Sequence, residues 1–263
     1  MSNSCSQMLD LVIVTGASRG IGARIALDAN SYAHTILTIG SSSAIEKLGG
    51  GKVSNLRPLR IDLADACLAE QRIRAELGLI GPVRRIGLAL CAAQIGSFGG
   101  LATANFAEWS RIFAVNVLGN LAVVKACFTA VEAGASLRAV FFGGGGAAYG
   151  YPEFSAYAIS KVATVRAVEN LAMEMNSKEW NAAVIALAPG AVDTDMLATV
   201  IAHGGVVQTK TDIGEPTTFV RRFLNDELDA RGLNGRFVHV RDDVLGKDFA
   251  SAPETLFKLR RVE

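Results

Sequence analysis

Seven short apolar runs, separated by longer stretches of helical periodicity, leave few architectures open to this chain. LVIVT (11–15), HTILTIG (34–40), LRPLRI (56–61), RRIGLALC (84–91), LRAVFFG (137–143), NAAVIALA (181–188) and RFVHV (236–240) read as strands. Residues 20–30, 63–78, 105–132 and 154–176 read as helices. Most of the strands are apolar on both faces, as a parallel sheet covered by helices on either side requires. Alternation of this kind predicts an α/β fold with a doubly wound parallel sheet of about seven strands. The chain has 263 residues and is 50% hydrophobic with a mean hydropathy of +0.31, enough for one large core. No repeat, linker or break in composition divides it, so 1–263 is read as a single domain. Residues 193–226 follow the sixth strand without a clean strand of their own. They are expected to form short helices beyond the carboxyl ends of the strands, where open α/β sheets bind ligands, and to serve as a substrate lid.

Charge and cysteine usage exclude several roles. A net charge of +1 gives no reason to expect nucleic acid or an anionic membrane as partner. Cys5, Cys67, Cys91 and Cys127 are widely spaced, form no CxxC pair and accompany only three histidines. They are read as reduced core thiols, with no metal site and no disulfide framework. The opening MSNSCSQMLD lacks a basic region, and no run of about 18 uninterrupted apolar residues follows. The expectation is a cytoplasmic protein with no membrane span.

The first apolar run continues as LVIVTGASRGIG (11–22), which places three glycines between a strand and a helix. Gly16 permits a tight turn, Gly20 lets the backbone approach a phosphate, and Gly22 lets helix and strand pack closely. The helix N-terminus then offers free N–H groups and a partial positive charge to a pyrophosphate, with Ser18, Arg19 and Ile21 in the same turn. Gly-rich turns often only turn; the strand before and the helix after supply the context for nucleotide binding. An NAD site needs a carboxylate near the end of the second strand, about 20 residues on, for the ribose hydroxyls. GSSS (40–43) stands there instead. Ser41 would welcome a 2′-phosphate and Arg19 would oppose its charge, which favours NADP(H) over NAD(H). The alternative is that Arg19 is a solvated loop residue and the serines only cap the next helix.

TGASRGIG (15–22) resembles the TGxxxGIG fingerprint of the short-chain dehydrogenase/reductase family, and the resemblance runs nearly end to end. Asp62 in RIDLAD, with Leu63 beside it, matches the family's acidic residue near the adenine. Asn116 in FAVNVLGN matches its active-site asparagine, Tyr157 and Lys161 match YxxxK, and PGAVDT (Pro189, Gly190, Val192, Thr194) matches PGxVxT. APGAVDTDM and LNGRFVHVRDDVLG most resemble the sepiapterin reductase and benzil reductase branch. The resemblance implies a Rossmann-type NADP(H)-dependent oxidoreductase that reduces a carbonyl or imine of a small molecule. Tyr157 would be the proton donor. Its phenol, ordinarily near pKa 10, would be lowered by the Lys161 ammonium four residues on and by ribose hydroxyls. Lys161 would also hold the ribose, and Asn116 would anchor a water that relays protons.

Two departures from the family pattern bear on the chemistry. CAAQ (91–94) replaces the usual NNAG, leaving Ala92 to pack beside the cofactor and Gln94 to narrow the nicotinamide side. The family's serine, thirteen positions before the tyrosine, is Gly144 within GGGG (143–146). Three readings follow. Another donor, from among Tyr149, Tyr151, Ser155 and Gln94, does the serine's work. Or the substrate is already electrophilic, such as an iminium or a 1,2-dicarbonyl. Or the protein binds NADP(H) without ordinary reductase turnover, as a sensor or as an isomerase or cyclase that uses the cofactor pocket. The four glycines also leave room for a bulky or aromatic substrate, with Phe98, Tyr149, Tyr151 and Met196 as candidate walls. Helix 154–176 is apolar on nearly every side, which points to burial within the chain or to a second subunit; the family resemblance implies a homodimer or homotetramer.

Overall fold

In the computed structural model, which describes residues 8–51, 53–130, 134–175, 181–207, 209–249, 251–253 and 255–259, seven strands form one parallel sheet. Strands β1 (Leu9–Thr15), β2 (Ala33–Gly40), β3 (Leu56–Arg60), β4 (Arg85–Leu90), β5 (Ser136–Phe142) and β6 (Asn181–Ala188) fall on the expected runs. Strands β7 (Ala191–Val192) and β8 (Lys210–Thr211) pair with each other apart from the main sheet. Strand β9 (Phe237–His239) completes the order β3-β2-β1-β4-β5-β6-β9.

Helices cover both faces of this sheet, and β1 shows why its sequence is apolar throughout. Leu11 and Ile13 enter one core with Ile73 and Leu77 of α2 (Ala66–Ile80), Val123 of α4 (Asn120–Ala130) and Val165 of α6 (Ser155–Glu174). Val12 and Val14 enter the other core with Ile25 of α1 (Gly20–Asp28) and Phe219 and Phe223 of α8 (Gly214–Leu224). Strand β1 pairs with β2 on one side and β4 on the other, so the strand order reverses beside it. The crevice at the carboxyl ends of β1 and β4 is the place where such sheets take a ligand.

Three expectations are corrected. The helix expected over 105–132 is α3 (Phe106–Phe113), a π-helical stretch (Ala114–Gly119) and α4; residues 131 and 132 lie outside the described residues. By length and mean composition the 25-residue run Phe106–Ala130 is apolar enough to cross a membrane, although Glu108, Arg111, Asn116, Asn120 and Lys125 interrupt it. Here 56% of its most apolar window is buried inside the fold, where α4 packs on α2. The 193–226 segment divides in two. Its first part, with α7 (Asp195–Ala202), borders the crevice, but α8 buries Phe219, Val220, Phe223 and Leu224 against α1, β4 and β5 and is no part of a cover. Of the cysteines, Cys127 is a core thiol, Cys91 borders the crevice and Cys67 is exposed; Cys5 lies outside the described residues.

Candidate active site

A cleft of about 1580 Å³ opens along the carboxyl edge of the sheet. The cofactor and substrate positions named from the sequence border it, from Gly16 and Ser41 at one end to Tyr151 and Met196 at the other, except Asn116, Phe98 and Ser155.

The glycine turn is built by close approach. A Cβ on Gly16 would sit 2.9 Å from the Cα and N of Ala92 at the end of β4, and one on Gly22 would run into the Gly16 carbonyl oxygen. Helix α1 therefore rests directly on the turn. Asp65, Asn105 and Thr194 cap α2, α3 and α7 with side-chain acceptors, but at the start of α1 Arg19 is extended and gives none. Among the described residues, the first N–H groups of α1 meet the cleft without a side-chain partner, which fits the pyrophosphate of a dinucleotide.

Beneath the cleft a chain of buried amides joins elements far apart in sequence. Asn120 Oδ1 accepts from the Thr15 hydroxyl (2.8 Å), and Thr15 Oγ1 in turn accepts from the Ala92 N–H (3.0 Å). Asn120 Nδ2 donates to the carbonyls of Ala92 (3.0 Å) and Asn116 (3.1 Å). Asn116 sits in the π-helical stretch, a local widening often found at functional sites. Its Oδ1 accepts from Gln94 N (2.7 Å), and its Nδ2 donates to Gln94 O (2.9 Å) and Ser160 Oγ (3.0 Å). Its side chain thus fastens the Gln94 backbone, which was not foreseen. Thr15, Asn120 and Ser160 were also missed, although NVLGN places Asn120 four residues after Asn116, on the same helix face. Replacing Asn120 by alanine strips partners from Thr15 and from two buried carbonyls. Denaturant unfolding is expected to show a loss of about 2–3 kcal/mol; an unchanged midpoint would contradict this account of the floor.

Above the floor, α6 presents Tyr157 and Lys161 one turn apart. The Lys161 ammonium is buried, donates to the Phe142 carbonyl (2.8 Å) and lies 5.3 Å from the Tyr157 ring centroid. Burial pushes Lys161 down to about 8. Burial, with Tyr151 nearby, pushes Tyr157 up to about 12, against the expected lowering. The reason is physical: burial away from water disfavours phenolate and ammonium alike.

Gly144 lies opposite; a Cβ there would be 3.8 Å from the Tyr157 hydroxyl. Its φ of 127° and ψ of 175° belong to a region open essentially to glycine alone. The other glycines of GGGG are not spare room. A Cβ on Gly143 would press on the Phe237 ring at 2.7 Å, one on Gly146 on Ala158 Cα at 3.0 Å, and one on Gly145 would lie 3.3 Å from the Tyr151 hydroxyl. Ser155, at the start of α6, is not among the residues lining the cleft.

At the other end Arg19 pairs with Asp195 across the mouth at 3.2 Å, both side chains well exposed. Arg60, unremarked in the sequence, donates from Nε to the Ser41 carbonyl (3.2 Å). Asp62 accepts from Ala64 N and from Arg111, and these bonds hold its carboxyl below the usual range. Phe98 lies behind the lining, edge-on to Phe154 and stacked on His203 at 3.6 Å, so His203 and Phe154, rather than Phe98, face the cleft.

Sheet order, bare helix N-terminus and the Tyr–Lys pair together define a dinucleotide-binding α/β protein. The short chain dehydrogenase family profile matches residues 10–204, and the chain belongs to that family of oxidoreductases. It is similar to elsinochrome reductase 1 of Elsinoe fawcettii, with 29% identity over 71% of this chain and 69% of the relative. It is also similar to a trihydroxynaphthalene reductase of Colletotrichum orbiculare, with 26% identity over 77% and 73%. A short chain dehydrogenase of Shigella flexneri, solved in complex with NADP, shares the fold with a TM-score of 0.77 at 18% identity, over 90% of this chain and 98% of that one.

Proposed function

We infer that the chain is an NADP(H)-dependent reductase of a carbonyl or imine on a bulky, aromatic small molecule. The observation that carries this reading is the convergence of Tyr157 and Lys161 on the same cleft as the glycine cradle. Two relatives whose names specify aromatic substrates, elsinochrome and trihydroxynaphthalene, support the substrate class. Kinship with the sepiapterin and benzil reductase branch is part of the same reading.

For the coenzyme, Ser41 at the end of β2, with no carboxylate in its place and Arg19 and Arg60 close by, suits a 2′-phosphate. The α1 N-terminus would receive the pyrophosphate, Asp62 and Leu63 would flank the adenine, and Lys161 with PGAVDT would border the nicotinamide half. When bound, the reduced nicotinamide supplies a hydride. Tyr157 holds the proton for the substrate oxygen, Lys161 holds positive charge beneath the phenol, and Asn116 keeps the Gln94 strand end in place. Burial and the neighbouring Tyr151 raise the Tyr157 pKa, so the ribose hydroxyls of a bound coenzyme would have to lower it. Leu118, Ile159 and Val162, exposed on the π-helical stretch and α6, suit a homodimer or homotetramer face.

The test is to mix the protein with NADPH and a panel of aromatic diketones, quinones and cyclic imines while following nicotinamide absorbance. Oxidation dependent on a panel member is expected. NADPH binding without oxidation of any of them would favour a sensor, and product without NADPH consumption an isomerase or cyclase.

A further inference from the structure

The loop between α5 (Gly145–Ala148) and α6 brings Tyr151 back over the glycines that follow β5. The Tyr151 hydroxyl is the atom nearest to where a Gly145 side chain would begin, at 3.3 Å, with its ring carbons at 3.7 Å. Tyr157 approaches the adjacent Gly144 in the same way, at 3.8 Å. Two phenols therefore approach two adjacent residues that lack side chains, and Tyr151 is near enough to Tyr157 to raise its pKa.

Tyr151 is also held in place. Its carbonyl accepts from Phe154 N (3.2 Å), and its ring meets the Phe154 ring edge-on at 6.0 Å. Two residues on, Glu153 takes the left-handed conformation (φ 68°), and its carbonyl accepts from Gly99 N (3.1 Å). A non-glycine residue persists in that region only when its surroundings fix it. The other candidate donors are placed less well. Tyr149 is 75% exposed, Ser155 does not line the cleft, and Gln94 stands on the β4 side, its backbone fastened by Asn116.

We propose that the Tyr151 hydroxyl, beside Gly145 and one residue along from the Gly144 that Tyr157 faces, is the second hydrogen-bond donor to the substrate oxygen, in place of the side chain that Gly144 lacks. The proposal rests on the reductase reading. Tyr151 keeps its proton throughout, so it polarises the acceptor and adds nothing to the balance of protons or electrons; Tyr157 alone gives its proton up. A serine at 144 would need a backbone conformation that residue cannot hold, so the donor arrives from the far end of the loop on a longer arm.

The test is Tyr151→Phe, which removes one oxygen and keeps the ring on Phe154. With NADPH and 9,10-phenanthrenequinone, an aromatic 1,2-diketone, kcat is expected to fall about 10²–10³-fold, as when an oxyanion donor is removed, while the NADPH dissociation constant stays within twofold. A kcat within threefold of wild type would overturn the proposal. A second readout needs no turnover. In complexes with NADP+ and the quinone, infrared difference spectra should place the carbonyl stretch lower in wild type than in Tyr151→Phe; equal stretches would overturn the role of Tyr151. Wild type that shows the shifted stretch yet never oxidises NADPH would sink the reductase reading and leave the contact standing.

Discussion

Lys161→Met is expected to slow turnover sharply and, measured without coenzyme at pH 7, to make the protein more stable. Burial holds this ammonium at about 8 against an ordinary 10.5. Between those values the unfolded chain keeps a proton that the folded chain has released, so stability climbs as pH rises through that window. Below about pH 8 the full penalty is present, about 3 kcal/mol at ~1.36 kcal/mol per pH unit. Methionine removes it but leaves the Phe142 carbonyl without its 2.8 Å donor, which costs about 1–3 kcal/mol. The net gain is about 1 kcal/mol, a rise in melting temperature of about 2–4 °C for a chain of this size. It should vanish at about pH 9, where the remaining penalty equals the cost of the lost hydrogen bond, and reverse at higher pH, as the unfolded lysine too loses its proton. Turnover should fall by about 10³, within the span usual for a misplaced or unsupported general acid. A variant less stable at pH 7 than at pH 10, relative to wild type, would contradict the assignment of Lys161 as a charge held against its surroundings.

Gly22→Ala is expected to damage fold and coenzyme binding together. Its methyl would collide with the Gly16 carbonyl, a backbone atom that cannot swing aside. Overpacking of this kind costs about 1–3 kcal/mol or more, and it lifts α1 from the turn whose N–H groups it should present. NADPH affinity should drop by about 5- to 150-fold where that cost falls on the bound state, since every ~1.4 kcal/mol is tenfold. Gly78 is the control. It lies on the exposed side of α2 with nothing near its missing side chain, and Gly78→Ala should stabilise by about 0.5–1 kcal/mol through helix propensity. Equal effects of the two substitutions, in calorimetry and in NADPH titration, would show that the turn is not built by close approach.

The contrast between these glycines marks where sequence reading succeeds. The parallel sheet was legible because both faces of each central strand are buried, and burial writes itself as an unbroken apolar run. The glycine turn and the Tyr157–Lys161 pair were legible because each acts within a few residues of chain. What escaped depends on contacts across long intervals. Thr15 and Asn120 are 105 positions apart, and nothing local in either marks the bond between them. The π-helical stretch carries no distinct periodicity in a six-residue span, and α8 reads like any amphipathic segment until the sheet beneath it is seen. GGGG looked like empty space because a glycine states only what its own side chain lacks; Phe237, Ala158 and Tyr151 arrive from elsewhere to fill it. The direction of the Tyr157 shift was missed for a similar reason. One charged neighbour can be read from spacing, whereas the dielectric of a cavity is set by every wall at once.

The buried amide ladder under the cleft has an evolutionary consequence. Thr15, Asn116, Asn120 and Ser160 satisfy one another and the ends of β1 and β4 without using any residue of 149–153 or 195–207. Changes to the upper rim can therefore accumulate without disturbing the register of the strands below. A lineage with this arrangement is free to trade one small molecule for another by altering the rim alone.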